Sequence, residues 1–154
     1  MSGISGEQAY QGNDRVNDLI ETYKPNICVI NYGTCEVTFK NTDSFIPAMQ
    51  EIINKLKKHK IKIIIVSPPP CSVNNWKQPA EWTAEQFING LPNVAELAKK
   101  IARNNNLIFI DSFNNLLNYQ KSNKHELTTD GIHLNELGYQ LLAENLMEAW
   151  SSKL

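Results

Sequence analysis

Hydrophobic positions along the chain follow two alternating patterns. Three short runs are nearly continuous in apolar, mostly β-branched residues: Ile27-Cys28-Val29-Ile30-Asn31-Tyr32, Ile61-Lys62-Ile63-Ile64-Ile65-Val66 and Leu107-Ile108-Phe109-Ile110. Such runs, without polar alternation, predict strands buried on both faces, as in a parallel sheet. Each meets a stop: Gly33, the run Pro68-Pro69-Pro70, and Asp111. A proline run cannot carry a ladder onward. Between the strands, apolar residues recur every three or four positions, which predicts helices. Glu7 to Tyr23 aligns Val16, Leu19, Ile20 and Tyr23; Phe45 to Lys60 aligns Phe45, Met49, Ile52, Ile53 and Leu56. Val94 to Asn104 and Asn135 to Trp150 predict two more helices, and Ser112 to Tyr119 a short one. Strands alternating with helices make an α/β fold with right-handed crossovers. Ligands in such sheets bind beyond the carboxyl ends of the strands. The irregular segments gather there: Gly33-Thr34-Cys35-Glu36, Ser67 to Trp82, and Asp111 onward.

Composition removes several function classes. The chain has 154 residues, 42% hydrophobic and 20% charged, with a formal net charge of -1. These are the proportions of one globular domain, 1–154, burying a single core. Near-neutral charge argues against nucleic acid as a partner, because phosphate binding draws on excess Lys and Arg. Three cysteines without ligand spacing argue against a disulfide framework and a metal site. No phosphate-cradling glycine loop or dinucleotide fingerprint occurs, so no cofactor is expected. The longest apolar run, Ile61 to Val66, is far too short to span a membrane. Lys57-Lys58-His59-Lys60 suits a solvated helix C-terminus, where the dipole favours positive charge. Met1-Ser2-Gly3-Ile4-Ser5-Gly6 has no leader pattern, which at face value places the chain in the cytoplasm.

Candidate chemistry concentrates in Thr128-Thr129-Asp130-Gly131-Ile132-His133-Leu134-Asn135. An Asp three residues before a His, with Gly between, can fold back so that its carboxylate meets imidazole Nδ1. Nε2 is then left as a general base. The plainer alternative is a turn at Asp130-Gly131, a packed His133, and Asn135 as a helix N-cap. Trp76 and Trp82 are open to two readings, as walls of an acyl or sugar pocket or as a lid packed on the core. His125 reads as a solvated loop residue and Cys28 as core, while Cys71 is left undecided.

Other segments tip the balance between these alternatives. Asp130-Gly131-Ile132-His133, followed by helix-forming sequence, resembles the late block of the SGNH (GDSL-type) ester hydrolases. Gly3-Ile4-Ser5-Gly6-Glu7 is similar to that family's second block, whose glycine donates a backbone N–H to the oxyanion; the match falls on Gly6. Tyr32-Gly33-Thr34-Cys35-Glu36 resembles the third block, normally Gly-x-Asn-Asp, and Ile65-Val66-Ser67-Pro68-Pro69-Pro70 its proline loop. The resemblance implies a flavodoxin-like three-layer α/β/α sandwich with a parallel sheet ordered 2-1-3-4-5. It also implies His133 as base, Asp130 as its orienter, Gly6 and Cys35 at the oxyanion positions, and a small-molecule or carbohydrate ester as substrate.

Two departures qualify that picture. The family's oxyanion Asn falls on Cys35, and a thiol is a weak donor; losing one such donor typically costs about 2.7–4 kcal/mol. A nucleophilic Cys35 is the lesser alternative. The family's Gly-Asp-Ser nucleophile block, which precedes the second block, has no counterpart in the 154 residues. The expectation is therefore an N-terminally truncated domain that supplies three of the usual five strands. Strand 27–32 then becomes an exposed edge through which the chain pairs as a homodimer. A leader lost with that segment would make the protein secreted or periplasmic. The competing expectation is a catalytically silent module kept for binding or assembly.

Overall fold

The structure is a computed structural model and describes residues 2–153; Met1, with which the opening segment begins, lies outside them. Three strands form one parallel sheet: β1 (Ile27–Ile30), β2 (Lys62–Val66) and β3 (Ile108–Ile110), in that spatial order. Cys28 stands opposite Ile63, and Ile65 opposite Phe109. One layer of helices comprises α1 (Ala9–Tyr23), α3 (Phe45–Lys58) and α4 (Ala84–Asn104). Their Val16, Ile20, Ile52, Ile53, Val94 and Ala98 form a core with Ile30, Ile63 and Ile65. On the other face α6 (Glu136–Lys153) sets Leu142, Leu146 and Ala149 against Ile64, Val66 and Ile110. A further helix, α5 (Ser112–Asn123), packs beside α6 through Leu116 and Tyr119. Alternate strand residues thus face opposite layers, as continuous apolar runs require. The arrangement is the expected three-layer α/β/α sandwich.

The strands are shorter than their apolar runs, and the reason is visible at Asn31. Its Nδ2 donates to the carbonyls of Val66 (3.2 Å) and Ser67 (3.0 Å), replacing the backbone ladder where β1 and β2 end. The expected helix from Val94 begins ten residues earlier, at Ala84. Gly90 and Pro92 discourage a helix in the sequence, but Phe87 and Leu91 are buried and Thr83 caps the start through Gln86 N–H (3.3 Å). A Cβ on Gly90 would lie 2.7 Å from Val37, so the glycine permits close packing against α2 (Thr34–Thr38). That five-residue helix is too short to announce itself by periodicity. Among the described residues β1 forms one edge of the sheet, with Val29 47% exposed.

Candidate active site

The hairpin that carries Asp130 and His133 is built by backbone pairing. Thr128 and Leu134 form an antiparallel bridge, Thr129 N–H donates to the His133 carbonyl (2.9 Å), and Asn135 N–H to that of Leu127 (2.9 Å). At the tip, Asp130 Oδ1 accepts from the N–H groups of Ile132 (3.1 Å) and His133 (2.8 Å). Asp is suited to this, since its short side chain caps its own turn. Asp130 Oδ2 lies 2.7 Å from His133 Nδ1. A carboxylate there holds the hydrogen on Nδ1, leaving Nε2 as the basic atom. The imidazole side chain is 67% exposed, so Nε2 faces open space rather than the core. Burial pushes the Asp130 carboxyl up, but hydrogen bonds from the His133 ring, two backbone N–H groups and Gln78 outweigh it. The result lies well below the usual carboxylate range.

The proline loop after β2 holds this hairpin from below. Ser72 N–H donates to the Gly131 carbonyl (2.9 Å), while Lys77 N–H and Gln78 Nε2 both donate to that of Asp130 (3.0 Å each). Gly131 adopts φ +97°, and a Cβ there would lie 2.7 Å from the Trp76 ring. Trp76 in turn stands edge-on to buried Phe87, ring centres 5.3 Å apart, and donates from Nε1 to the Trp82 carbonyl (3.2 Å). Its position is that of a packed support beneath the Asp130–His133 hairpin. Trp82 meets Phe39 edge-on at 6.3 Å, and Phe39 is 52% exposed, so this pair forms an aromatic rim.

The segments that carry Gly6 and Cys35 are tied by a different set of contacts. Gly6 sits at φ +76° in an exposed turn closed by Glu7 N–H on the Ile4 carbonyl (3.2 Å). Gln8 Nε2 donates to the Cys35 carbonyl (3.3 Å), and Glu36 Oε1 accepts from Ala9 N–H at 2.6 Å. On the far side Glu7 is gripped by Arg15 and by Tyr32 Oη (2.7 Å). Those bonds, the Arg15 one foremost, lower the Glu7 carboxyl. Burial first, and the nearby Glu36 and Glu7 carboxylates second, push the Cys35 thiol up. It remains a thiol at neutral pH, suited to donate weakly and poorly suited to attack. Gly33, which starts the Cys35 turn, lies against Pro68 of the proline loop, so both clusters stand at the carboxyl end of the sheet.

The hydroxyls of Ser67 and Ser72 are committed elsewhere. Ser67 is fully buried; its Oγ accepts from Phe113 N–H (2.9 Å), and its carbonyl accepts from Ser112 Oγ (2.5 Å). Ser72 Oγ donates to Glu126. His125, with Lys124, Glu126 and Asn135, lines a cavity of about 590 Å³ that includes neither Asp130 nor His133. Cys28 and Cys71 are half-buried, and burial pushes both thiols up. Among the described residues no group of three or more His, Cys, Asp or Glu could hold a metal. No described helix is long and apolar enough to cross a membrane. Sequence reasoning missed the Glu7–Arg15–Tyr32 and Glu36–Ala9 contacts. Their only trace was charge placed amid apolar residues, as in Cys35-Glu36-Val37.

A three-layer sandwich with an Asp–His hairpin at the carboxyl end of its sheet defines a class of α/β hydrolytic scaffold. Within it, a family model described as the GDSL-like Lipase/Acylhydrolase family matches residues 1–141, and the chain belongs to that family. The chain is similar to an acetyl xylan esterase, AlAXEase: 24% identity over 99% of this chain and 79% of that one, TM-score 0.81. It is similar to Axe2, an acetylxylan esterase from Geobacillus stearothermophilus (17%, 96% and 69%, TM-score 0.78). A GDSL-like lipase from Bacteroides thetaiotaomicron matches at 25%, over 99% and 75%, with TM-score 0.73. Two Axe2 structures are described as catalytic mutants, one losing a His and one an Asp, at positions three apart in that chain. No curated protein matches.

Proposed function

We propose that this chain carries the general base, its orienting carboxylate and the oxyanion donors of a serine ester hydrolase. Its substrates are short acyl or O-acetyl esters, carbohydrate esters among them. The contact of 2.7 Å between Asp130 Oδ2 and His133 Nδ1 carries the reading. The same Asp-to-His spacing in the Axe2 catalytic mutants supports it. In this mechanism His133 Nε2 takes the proton of a seryl hydroxyl as its oxygen attacks the ester carbonyl. Asp130 stabilises the imidazolium, and Gly6 N–H and the Cys35 thiol face the oxyanion. His133 then protonates the departing alcohol, and water repeats the sequence to release the acid.

The nucleophile in this reading is the serine of a Gly-Asp-Ser block on a segment outside the 154 residues, joining the sheet at β1. The test starts from the DNA upstream of the Met1 codon. An in-frame Gly-Asp-Ser about 30–45 residues earlier, one βαβ unit's length, is expected. The longer product should hydrolyse p-nitrophenyl acetate, and His133→Ala should lower kcat by about 10³-fold or more. Residues 1–154 alone should be inactive. Hydrolysis by 1–154 that His133→Ala abolishes would place the nucleophile inside this chain and overturn the assignment. No Gly-Asp-Ser upstream and no hydrolysis would instead support the silent module, a reading favoured here by the weak donor at Cys35.

A further inference from the structure

Glu36 is a fully buried carboxyl that the mechanism above leaves unused. Its Oε1 accepts from Ala9 N–H, the first residue of α1, while Oε2 is buried without a partner among the described residues. Burial pushes this carboxyl up, more than the N–H groups of Ala9, Glu36 and Gly33 pull it down. The location gives the group its meaning. Cys35 immediately precedes Glu36, and Gly6 stands three residues before Ala9. Parallel links brace the same gap: Asn41 N–H donates to the Glu36 carbonyl (2.9 Å), and Asn41 Nδ2 to Gln8 Oε1 (3.1 Å). Gln8 Nε2 closes the ring on the Cys35 carbonyl.

We propose that Glu36 is a positioning residue, whose clamp on Ala9 N–H sets the spacing between the Gly6 and Cys35 oxyanion donors. The proposal rests on the hydrolase reading. Oxyanion donors act only when held at the place where charge develops, and a shift of about 1 Å there can cost 10²-fold in rate.

Two measurements test this, one of them independent of catalysis. In residues 1–154, amide hydrogen exchange by NMR should show Ala9 losing protection about tenfold or more in Glu36→Ala, beyond any uniform loss elsewhere. Glu36→Gln, which keeps an acceptor oxygen at that position, should retain it. Unchanged Ala9 protection in Glu36→Ala would overturn the clamp. In the form that hydrolyses p-nitrophenyl acetate, Glu36→Ala should lower kcat about tenfold or more with KM nearly unchanged, and Glu36→Gln should recover it. A lost clamp with unchanged kcat would overturn the positioning role. Absence of hydrolysis in every form would defeat the hydrolase reading and the catalytic role with it, while the exchange data still judge the clamp.

Discussion

At the scale of single residues, the hairpin tip depends on Gly131. At φ +97° any side chain is strained, and here it would also meet the Trp76 ring at 2.7 Å and the Ser72 carbonyl at 2.9 Å. Left-handed strain and overpacking each cost about 1–3 kcal/mol, so Gly131→Ala should destabilise by roughly 2 kcal/mol or more in urea denaturation. Activity should fall further than stability, because the displaced turn carries Asp130. The two perturbed carboxyls have opposite signs in their pH dependence. Asp130 is held low, so the folded chain binds its proton less tightly than the unfolded chain. Its contribution is complete above about pH 4 and is lost as pH falls through the folded value. Glu36 is held high, so its contribution is complete below about pH 4 and is lost as pH rises through the folded value. Melting temperature followed across pH should therefore lose part of its acid-side slope in Asp130→Asn. It should lose part of its decline above pH 4 in Glu36→Gln.

At the scale of elements, side chains reinforce the ends of the strands alongside backbone bonds such as Ser67 N–H to the Ile110 carbonyl (3.1 Å). Ser67 Oγ accepts the Phe113 N–H in the first turn of α5, and Ser112 donates back to its carbonyl, so β2 and α5 share one buried junction. Ser67→Ala leaves that N–H buried without a partner, which costs about 1–3 kcal/mol. Its melting temperature should drop, with acetate-ester hydrolysis otherwise intact; a loss of hydrolysis in a still folded Ser67→Ala would make Ser67 part of the chemistry. Strand cores, helix faces and the Asp–His spacing were legible because each repeats a local period or motif. The ten-residue extension of α4 was not, because Gly90 and Pro92 are penalised locally, whereas the glycine is what lets Val37 pack close. The short helix α2 was equally hidden, its stability resting on burial of Glu36 and Val37 rather than on length.

At the scale of the whole molecule, β1 and β3 are the two edges of the sheet among the described residues, and β1 carries half-exposed Val29. Unpaired strand edges are templates for further pairing. Residues 1–154 should therefore sediment as a dimer at micromolar concentration, and Val29→Lys should shift it towards monomer. A monodisperse wild-type monomer with cooperative melting would exclude that edge as an interface. The chain covers 69–79% of the length of the three solved esterases and lipases compared above.

What the sequence determined by itself was periodic or contiguous: three buried strands, the helices between them, the Asp130–His133 spacing and the family blocks in order. Local spacing suffices there, since a strand face, a helix stripe and an Asx turn each involve residues a few positions apart. Tertiary structure alone decided that Trp76 supports Gly131, that Ser67 is a buried junction, and that Glu36 reaches Ala9. Those contacts join residues 27 to 55 positions apart, and no local pattern encodes a distance that only packing closes.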